Sequence, residues 1–161
     1  GVGGHTGRAA GVGEAVFGRL EACRAKASLS IGGVKGFEIG EGFGAAALKG
    51  SQDNDGFCLG PEGRIRKTSN HAGGVLGGIS DGAPVVFRAA IKPTPSISRV
   101  QKSVTRQGEE CELEIKGRHD PVIVPRAVVV VETMAALTAA DLLLRSSVSR
   151  LDRLQKIFDI R

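Results

Sequence analysis

The chain has 161 residues, 41% of them hydrophobic and 24% charged, which is enough for one domain with a core and ordinary for a globular protein. Its 24 glycines, together with the absence of tryptophan and tyrosine, indicate many turns and close backbone approaches, including approaches to a ligand. The net charge of +5 favours anionic partners such as a phosphorylated metabolite, a flavin phosphate or nucleic acid, although it also suits a plain solvated surface.

Three cysteines, Cys23, Cys58 and Cys111, lie far apart and form no CxxC pair. They indicate neither a disulfide framework nor a zinc site, so we expect reduced thiols in a cytoplasmic protein. No apolar run approaches membrane-spanning length and no signal peptide is visible, so we expect no membrane partner. The glycine-rich start without Met indicates a piece of a longer chain.

In the first half of the chain, residues 14–27 are predicted to form a helix. The stripe that predicts it recurs at spacings of four, three and four: Val16, Leu20, Cys23 and Ala27. Glycines interrupt residues 31–44 too often for a long regular element, and residues 44–48 are predicted as a short strand. Residues 50–82 are polar and punctuated by glycine, and a loop of this length in a compact domain is typical of a functional segment.

In the second half, residues 83–91 are predicted as a strand whose two apolar sides allow burial on both faces. Residues 111–116 alternate apolar and charged side chains, which predicts an amphipathic strand that follows a hairpin turn at Gln107 and Gly108. Residues 122–124 are predicted to be extended between Pro121 and Pro125. A second helix follows, with a stripe of Met134, Leu137, Asp141, Leu144, Val148 and Leu151. The fold class is α+β.

Several common motifs are missing. Neither glycine cluster at residues 11–13 or 40–44 has the GxGxxG spacing of a dinucleotide site, and there is no P-loop or GxSxG elbow. The three histidines, His5, His71 and His119, have no metal-ligand spacing, so we predict no metal site. The one tight basic cluster contains Arg64, Arg66 and Lys67 without interleaved aromatic residues, which favours a small anion over nucleic acid.

Three segments have the composition of a binding site. Residues 69–78 carry paired glycines that let backbone N–H groups approach a ligand. Residues 92–96 form a proline-stiffened loop with one cation and two hydroxyls, which suits a phosphate or a flavin edge. Residues 117–121 place Arg118, His119 and Asp120 directly after a strand. Taken singly, each segment could also be an ordinary turn, a strand exit or a surface ion pair.

Taken together and in order, these segments resemble the C-terminal half of chorismate synthase. The resemblance is carried by GRHDP at residues 117–121 with PRA at 125–127, SNHAGG at 69–74 with GGIS at 77–80, VKGFEIG at 34–40, GS at 50–51, and GVGE at 11–14 with VF at 16–17. It covers residues 11–145, within a C-terminal portion of one domain at residues 1–161 that ends in a polar helical tail at 146–161.

The resemblance implies a β-α-β sandwich of antiparallel sheets packed with helices, and a homotetramer. It implies a lyase of the shikimate pathway that eliminates phosphate and a ring hydrogen from 5-enolpyruvylshikimate-3-phosphate to give chorismate. It also implies reduced FMN, supplied from outside or by an NADPH-dependent activity of the protein. The implied flavin contacts are Gly32, Gly33, Gly77, Lys92, Pro93, Thr94, Pro95, Ser96 and Arg118.

The resemblance makes Asp120 the candidate catalytic residue, either orienting the flavin ring edge or assisting proton removal. Arg118 nearby would lower the pKa of that carboxyl, which suits an anion more than a base. Residues 1–10 are too glycine-rich for the apolar strand that the family has there, and Ala15 and Gly18 depart from the family pattern. The family's N-terminal half, with its catalytic histidines and most of its arginine-rich substrate site, is absent from this sequence.

That absence predicts a half-site and an exposed face where the other half packs. Two other functions remain open on the sequence alone. One is a non-catalytic module that binds flavin or another anion, and the other is a basic domain associated with nucleic acid.

Overall fold

The computed structural model describes residues 2–5, 10–118, 122–149 and 151–158. The strands are β1 (Val2–His5), β2 (Val34–Ile39), β3 (Phe57–Leu59), β4 (Ile65–Lys67), β5 (Val75–Leu76), β6 (Ile79–Ser80), β7 (Val85–Ile91), β8 (Gln101–Val104) and β9 (Glu110–Leu113). The α-helices are α1 (Leu20–Leu29), α2 (Gly50–Asp53), α3 (Val124–Val148) and α4 (Leu151–Phe158). Helices and small antiparallel sheets together confirm the α+β class.

A three-stranded antiparallel sheet in the order β1-β7-β2 forms the centre of the fold. The glycine-rich start therefore does form a strand, because β1 pairs with β7 through its backbone, with Gly3 opposite Phe87. Residues 31–44, where glycines were expected to exclude a long regular element, contain β2, a strand of six residues. Its glycine, Gly36, lies at a register irregularity opposite Ala90, where a strand tolerates a residue without a side chain.

The core lies on one face of this sheet. Along β7, Val85, Phe87 and Ala89 are buried, whereas Arg88 and Ala90 on the other side are exposed. The strand at residues 83–91 was therefore predicted correctly, but it is buried on one face and not on both. Helices α1 and α3 cover the buried face, and the largest cluster joins Val12, Leu20, Val75, Val85 and Leu142.

Helix α1 begins at Leu20, six residues later than predicted. Val16 has a φ of 58° and belongs to a 3-10 turn (Val16–Gly18) with exposed side chains, so the stripe at residues 14–27 starts too early. The helix buries Leu20, Arg24 and Ser28. The predicted strand at residues 44–48 is instead a 3-10 helix (Gly42–Ala47), and the predicted long loop at 50–82 holds α2 and two short hairpins, β3–β4 and β5–β6.

Helix α3 is apolar around most of its circumference, and its inner face is the one that the described residues cover. Ala135 and Leu142 are buried, whereas Leu137 is 60% exposed and Leu144 is 71% exposed, so the predicted stripe faces outward. The helix includes Val124 and is preceded by Ile123 in helical conformation, which corrects the extended segment predicted at residues 122–124.

Helix α3 also corrects the expectation that no apolar run approaches membrane-spanning length. Its 25 residues are long and apolar enough to span a membrane by length and composition, a property that core helices share. No other helix in the described part of the chain meets that criterion.

The β8–β9 hairpin confirms the turn at Gln107 and Gly108, where the Gly108 N–H donates to the Thr105 carbonyl at 3.0 Å. Strand β9 ends at Leu113, earlier than predicted, and the apolar side chains of Leu113 and Ile115 remain exposed. The amphipathic pattern at residues 111–116 therefore has no core beneath it among the residues that the structure describes.

Candidate functional site

Three parts of the chain meet at one end of the β2–β7 pair. Val34 is opposite Ile91 in the register, and just beyond them the Lys92 N–H donates to the Gly33 carbonyl at 2.8 Å. Gly33 has a φ of 90°, and a Cβ atom there would lie 3.6 Å from Cδ1 of Ile123. The turn after α1, the exit of β7 and the start of α3 therefore form one junction, which we call the Gly33–Lys92 junction.

The proline loop at residues 92–96 adds polar groups to the Gly33–Lys92 junction. The Lys92 ammonium-bearing side chain is exposed, and the Pro95 carbonyl accepts a hydrogen bond from Gln101 Nε2 at 3.4 Å. The Thr94 hydroxyl oxygen is buried and has no hydrogen-bond partner among the described residues. A buried hydroxyl normally finds a partner, so this one marks the loop as a place that a ligand could complete.

Of the two candidate site residues that follow β9, the structure describes Arg118 and not Asp120. Arg118 is exposed and lies on the segment that leads toward α3, five positions before Ile123, which borders Gly33. Ile123, which contacts this junction, is the nearest part of the chain after Arg118 that the structure places there. Asp120 and its neighbour His119 lie outside the described residues, so the role of Asp120 stays a prediction.

Gly77 lies apart from the other predicted flavin contacts. It occupies the turn of the β5–β6 hairpin, where the next carbonyl, that of Gly78, accepts the Leu20 N–H at 2.8 Å at the start of α1. Gly32 and Gly33 follow the end of α1, and a helix of 10 residues is about 15 Å long. The structure thus brings Gly32, Gly33 and the 92–96 loop together and holds Gly77 at the opposite end of α1.

The SNHAGG segment is shaped by hydrogen bonds within the protein. Asn70 donates from Nδ2 to the Pro84 carbonyl at 2.8 Å and accepts the Gly74 N–H at 2.7 Å. His71 contacts Glu41 through Nδ1 at 3.0 Å, with both side chains partly exposed. The motif therefore builds the connection between β2 and β7, and most of its polar groups are used internally.

Sequence reasoning missed a cluster of buried charged side chains. The Lys67 ammonium lies 2.8 Å from Asp55 Oδ2 and 2.7 Å from Asp81 Oδ2, and the three side chains are only 6%, 3% and 8% exposed. Burial alone would raise the pKa of the Asp55 carboxyl, but hydrogen bonds from Lys67, Ser69 and two backbone N–H groups hold it well below its usual range. We call these three residues the ion triad.

The ion triad changes the interpretation of the basic cluster at Arg64, Arg66 and Lys67. Burial alone would lower the pKa of Lys67, but its bonds to Asp55 and Asp81 raise it. Its charge is neutralised inside the protein, so it adds nothing to a surface that could bind phosphates of a nucleic acid. The sequence carried no signal for the triad, because its members are 12 and 14 residues apart with no periodicity.

The chorismate synthase family model matches residues 4–144 of the chain. The chain belongs to the chorismate synthase family. A chorismate synthase of Lachnoclostridium phytofermentans is 60% identical over 149 residues, which is 92% of this chain and 41% of the relative. A chorismate synthase of Archaeoglobus fulgidus is 58% identical over 136 residues, which is 84% of this chain and 38% of the relative.

Similarity to a solved structure agrees with this membership. A crystal structure of chorismate synthase superimposes with a TM-score of 0.69 at 32% sequence identity, covering 94% of this chain and 39% of that one. The resemblance seen in the motifs is thereby confirmed. The chain spans about two-fifths of the length of the chorismate synthases it matches.

Proposed function

We propose that this chain forms part of a flavin-dependent lyase that converts 5-enolpyruvylshikimate-3-phosphate to chorismate in the shikimate pathway. The observation that carries the proposal is the Gly33–Lys92 junction. There, segments that match the family converge and include the buried Thr94 hydroxyl, which has no partner among the residues that the structure describes. The phosphorylated substrate and reduced FMN are both anionic, which agrees with exposed cations at Lys92 and Arg118.

The residues of the Gly33–Lys92 junction fit a flavin phosphate or an anionic flavin ring. Lys92 can donate a charge-assisted hydrogen bond, and Arg118, on the segment before α3, could add another. Among the described residues the Thr94 hydroxyl has no partner, and no atom lies within 4 Å of a Cβ built at Gly32. Pro93, Pro95 and Ser96 would shape the same loop. Gly77, at the other end of α1, also has open space beside it, and we propose it as a further flavin contact.

The proposed reaction breaks the bond between carbon and the phosphate oxygen and removes a ring proton. The electron pair of the C–H bond becomes the new double bond, and phosphate leaves with the electron pair of the C–O bond. When bound, reduced FMN would lend electron density that is returned within the cycle, so no net oxidation occurs. For the chain's own residues we propose that Lys92 and Arg118 hold anions and that Asp120 assists the proton's departure.

The exposed face of α3 supports the proposal that this chain works together with the rest of a chorismate synthase chain. Leu137 and Leu144 are large, apolar and open to solvent on a 25-residue helix, and such a face is normally covered. We propose that the remaining three-fifths of a family chain covers it and brings the rest of the substrate site. We also propose a homo-oligomer, a tetramer as in the family, and a cytoplasmic location, which suits the free thiols of Cys23, Cys58 and Cys111.

A chimera makes these proposals testable. The chain would replace the 149-residue region that it matches in the Lachnoclostridium phytofermentans chorismate synthase, at 60% identity. In this chimera, Arg118→Ala should weaken the binding of anaerobically reduced FMN by about tenfold or more, since a charge-assisted hydrogen bond contributes about 1.5–3 kcal/mol. Flavin absorbance and fluorescence titrations measure the dissociation constant.

Arg106→Ala is the matched control for Arg118→Ala. Arg106 lies in the exposed turn of the β8–β9 hairpin, on the other side of β9 from Arg118 in the sequence. Its replacement therefore removes the same charge from a neighbouring segment. It should leave FMN affinity within about twofold of the parent. Equal affinities in both variants and the parent would remove Arg118 from the site, and a folded chimera that binds no FMN would contradict the proposal as a whole.

Asp120→Ala in the chimera should reduce chorismate formation by at least about a hundredfold, the contribution of a well-placed proton-transfer group. Asp141→Ala is the control, because Asp141 is exposed on α3 and its ion-pair partner among the described residues is Arg145, one turn away. Chorismate release is followed under anaerobic conditions with reduced FMN. Near-normal turnover would contradict the assignment of Asp120, and FMN binding without any turnover in the parent chimera would favour a non-catalytic flavin module.

A further inference from the structure

The turn that carries Gly77 is held by its two ends. The β5–β6 hairpin has only two residues in each strand, and a hairpin that short is not stable without support. Before it, Asp55 Oδ1 accepts the Ser69 hydroxyl and the His71 N–H, both at 2.7 Å. After it, Asp81 Oδ1 accepts the Ala83 N–H at 2.8 Å. Each end is therefore fixed by a different carboxylate.

Lys67 joins these two ends. Its ammonium contacts both carboxylates, at 2.8 and 2.7 Å, from the last residue of β4, which belongs to neither end. Asn70 supplies a second, neutral tie through Pro84 and Gly74. Among the described residues, Asp55 and Asp81 are the titratable groups that bond the Lys67 ammonium, so its charge is what keeps two buried carboxylates side by side.

The ion triad is not itself a ligand site. Asp55 is saturated by Lys67, Ser69 and the N–H groups of His71 and Ala72, and all three triad side chains are more than nine-tenths buried. The open groups lie at the tip of the hairpin, where no atom comes within 4 Å of a Cβ built at Gly77. The neighbouring Gly78 carbonyl rests on the start of α1 through Leu20. The buried base of the β5–β6 hairpin is therefore held in place, whereas its tip at Gly77 is open to a ligand.

We propose that Lys67 is a positioning residue, which fixes the Gly77 turn for the flavin by holding Asp55 and Asp81 together. This inference rests on the proposed function and deepens it. It also assigns a role to Lys67 within the basic cluster of Arg64, Arg66 and Lys67. Neither nucleic-acid binding nor the predicted flavin contacts account for that cluster. Lys67 itself never touches the ligand, so its effect must pass through the geometry of the hairpin.

The test is Lys67→Met in the chimera, with reduced FMN as the probe. Without the ammonium, two buried carboxylates face each other, so one of them should take up a proton as the pH falls and restore part of the contact. We expect FMN affinity to fall about tenfold relative to the parent at about pH 8, and less than about threefold at about pH 5.5. Taking the ratio at each pH removes the titration of FMN itself.

Arg66→Met is the control, because Arg66 is the adjacent cation, is exposed and lies on the other side of the hairpin strand. It should match the parent at both pH values. If Lys67→Met does not fold, as judged by circular dichroism, Asp81→Asn replaces it. Asp81→Asn retains the shape and the Asp55 pair, and should lower FMN affinity about threefold at both pH values.

The outcomes separate the two proposals. A parent chimera that is folded and binds no FMN overturns the proposed function, and the role of Lys67 with it. A parent that binds FMN while Lys67→Met binds equally well, even with a lowered melting temperature, overturns only the positioning role. A loss of affinity in Lys67→Met that is the same at both pH values also overturns it, because the charge between the carboxylates would then not be the cause.

Discussion

Arg24→Leu is expected to raise the free energy of unfolding by about 1–4 kcal/mol, the gain seen when buried ion pairs are replaced by apolar side chains. Arg24 is only 3% exposed on the inner face of α1. Its Nε and Nη1 atoms have no hydrogen-bond partner in the part of the chain that the structure describes. Burial lowers the pKa of this guanidinium, which is another sign that the charged form is poorly solvated there.

One contact partly offsets the cost of burying Arg24. Its guanidinium carbon lies 5.6 Å from the centre of the Phe87 ring, a cation–π distance that is worth about 0.5–2 kcal/mol. The nearest carboxylate along the helix, Glu21, pairs with Arg19 through one oxygen, and its other oxygen is buried without a partner among the described residues. A leucine would lose this cation–π contact but would remove the desolvated charge, and because the second effect is the larger, the net change should be stabilising.

Thermal and urea denaturation of the chain measure the effect of Arg24→Leu. For a domain of this size, a gain of 1 kcal/mol corresponds to about 2–4 °C in melting temperature. Lys26→Leu is the matched control, since Lys26 lies on the same helix, loses the same charge and is exposed. It should stay within about 0.5 kcal/mol of the parent. A destabilised Arg24→Leu would show that the guanidinium has an ionic partner that matters.

Arg24→Leu also bears on the candidate functional site, because α1 connects the Gly77 turn with the Gly33–Lys92 junction. The helix starts at the Gly78 carbonyl beside the Gly77 turn and ends just before Gly33. Its inner face contributes one large apolar side chain, Leu20, together with Arg24 and Ser28. A weakly anchored α1 would let the Gly77 turn and the Gly33–Lys92 junction move relative to each other.

Much of the fold could be predicted from the sequence where a local pattern had one interpretation. Strand β7 and the turn at Gln107 and Gly108 follow from short-range composition, and both are present. Helix α3 was found, but its buried face was not, because a helix that is apolar around most of its circumference gives periodicity little contrast to detect. Helix α1 was misplaced because apolar residues also fill the 3-10 turn at Val16.

The site was less accessible to sequence reasoning, for a different reason. The bond between Lys92 and Gly33 depends on the register of β2 against β7, which joins residues almost sixty positions apart. The ion triad likewise depends on how Asp55, Lys67 and Asp81 are folded together. Family motifs could indicate Gly33 and Lys92 without that register, but nothing local marked Lys67 as buried.

Gly40→Ala should lower the free energy of unfolding by about 3–5 kcal/mol, at the upper end for single substitutions. Gly40 directly follows β2 with a φ of 55°, and a Cβ atom there would overlap the His71 carbonyl oxygen and lie 2.6 Å from the Gly73 nitrogen. Both obstacles are backbone atoms, so no rotamer change relieves the overlap. The segment would have to move and release the bond from the Glu41 N–H to the His71 carbonyl, now 2.8 Å long.

Gly63→Ala separates the two sources of destabilisation at Gly40, which are the left-handed backbone conformation and the close contact with the backbone of residues 71–73. Gly63 has a φ of 70° but no atom within 4 Å of a built Cβ, so this variant carries only the left-handed strain of about 1 kcal/mol. The difference between the variants in urea unfolding isolates the backbone contact at Gly40. Because that contact holds the segment anchored by Asp55, Gly40→Ala should also weaken FMN binding in the chimera, whereas Gly63→Ala should not. Equal losses of stability in the two variants would mean that conformational strain alone explains Gly40, and that the close approach of the two backbones contributes nothing.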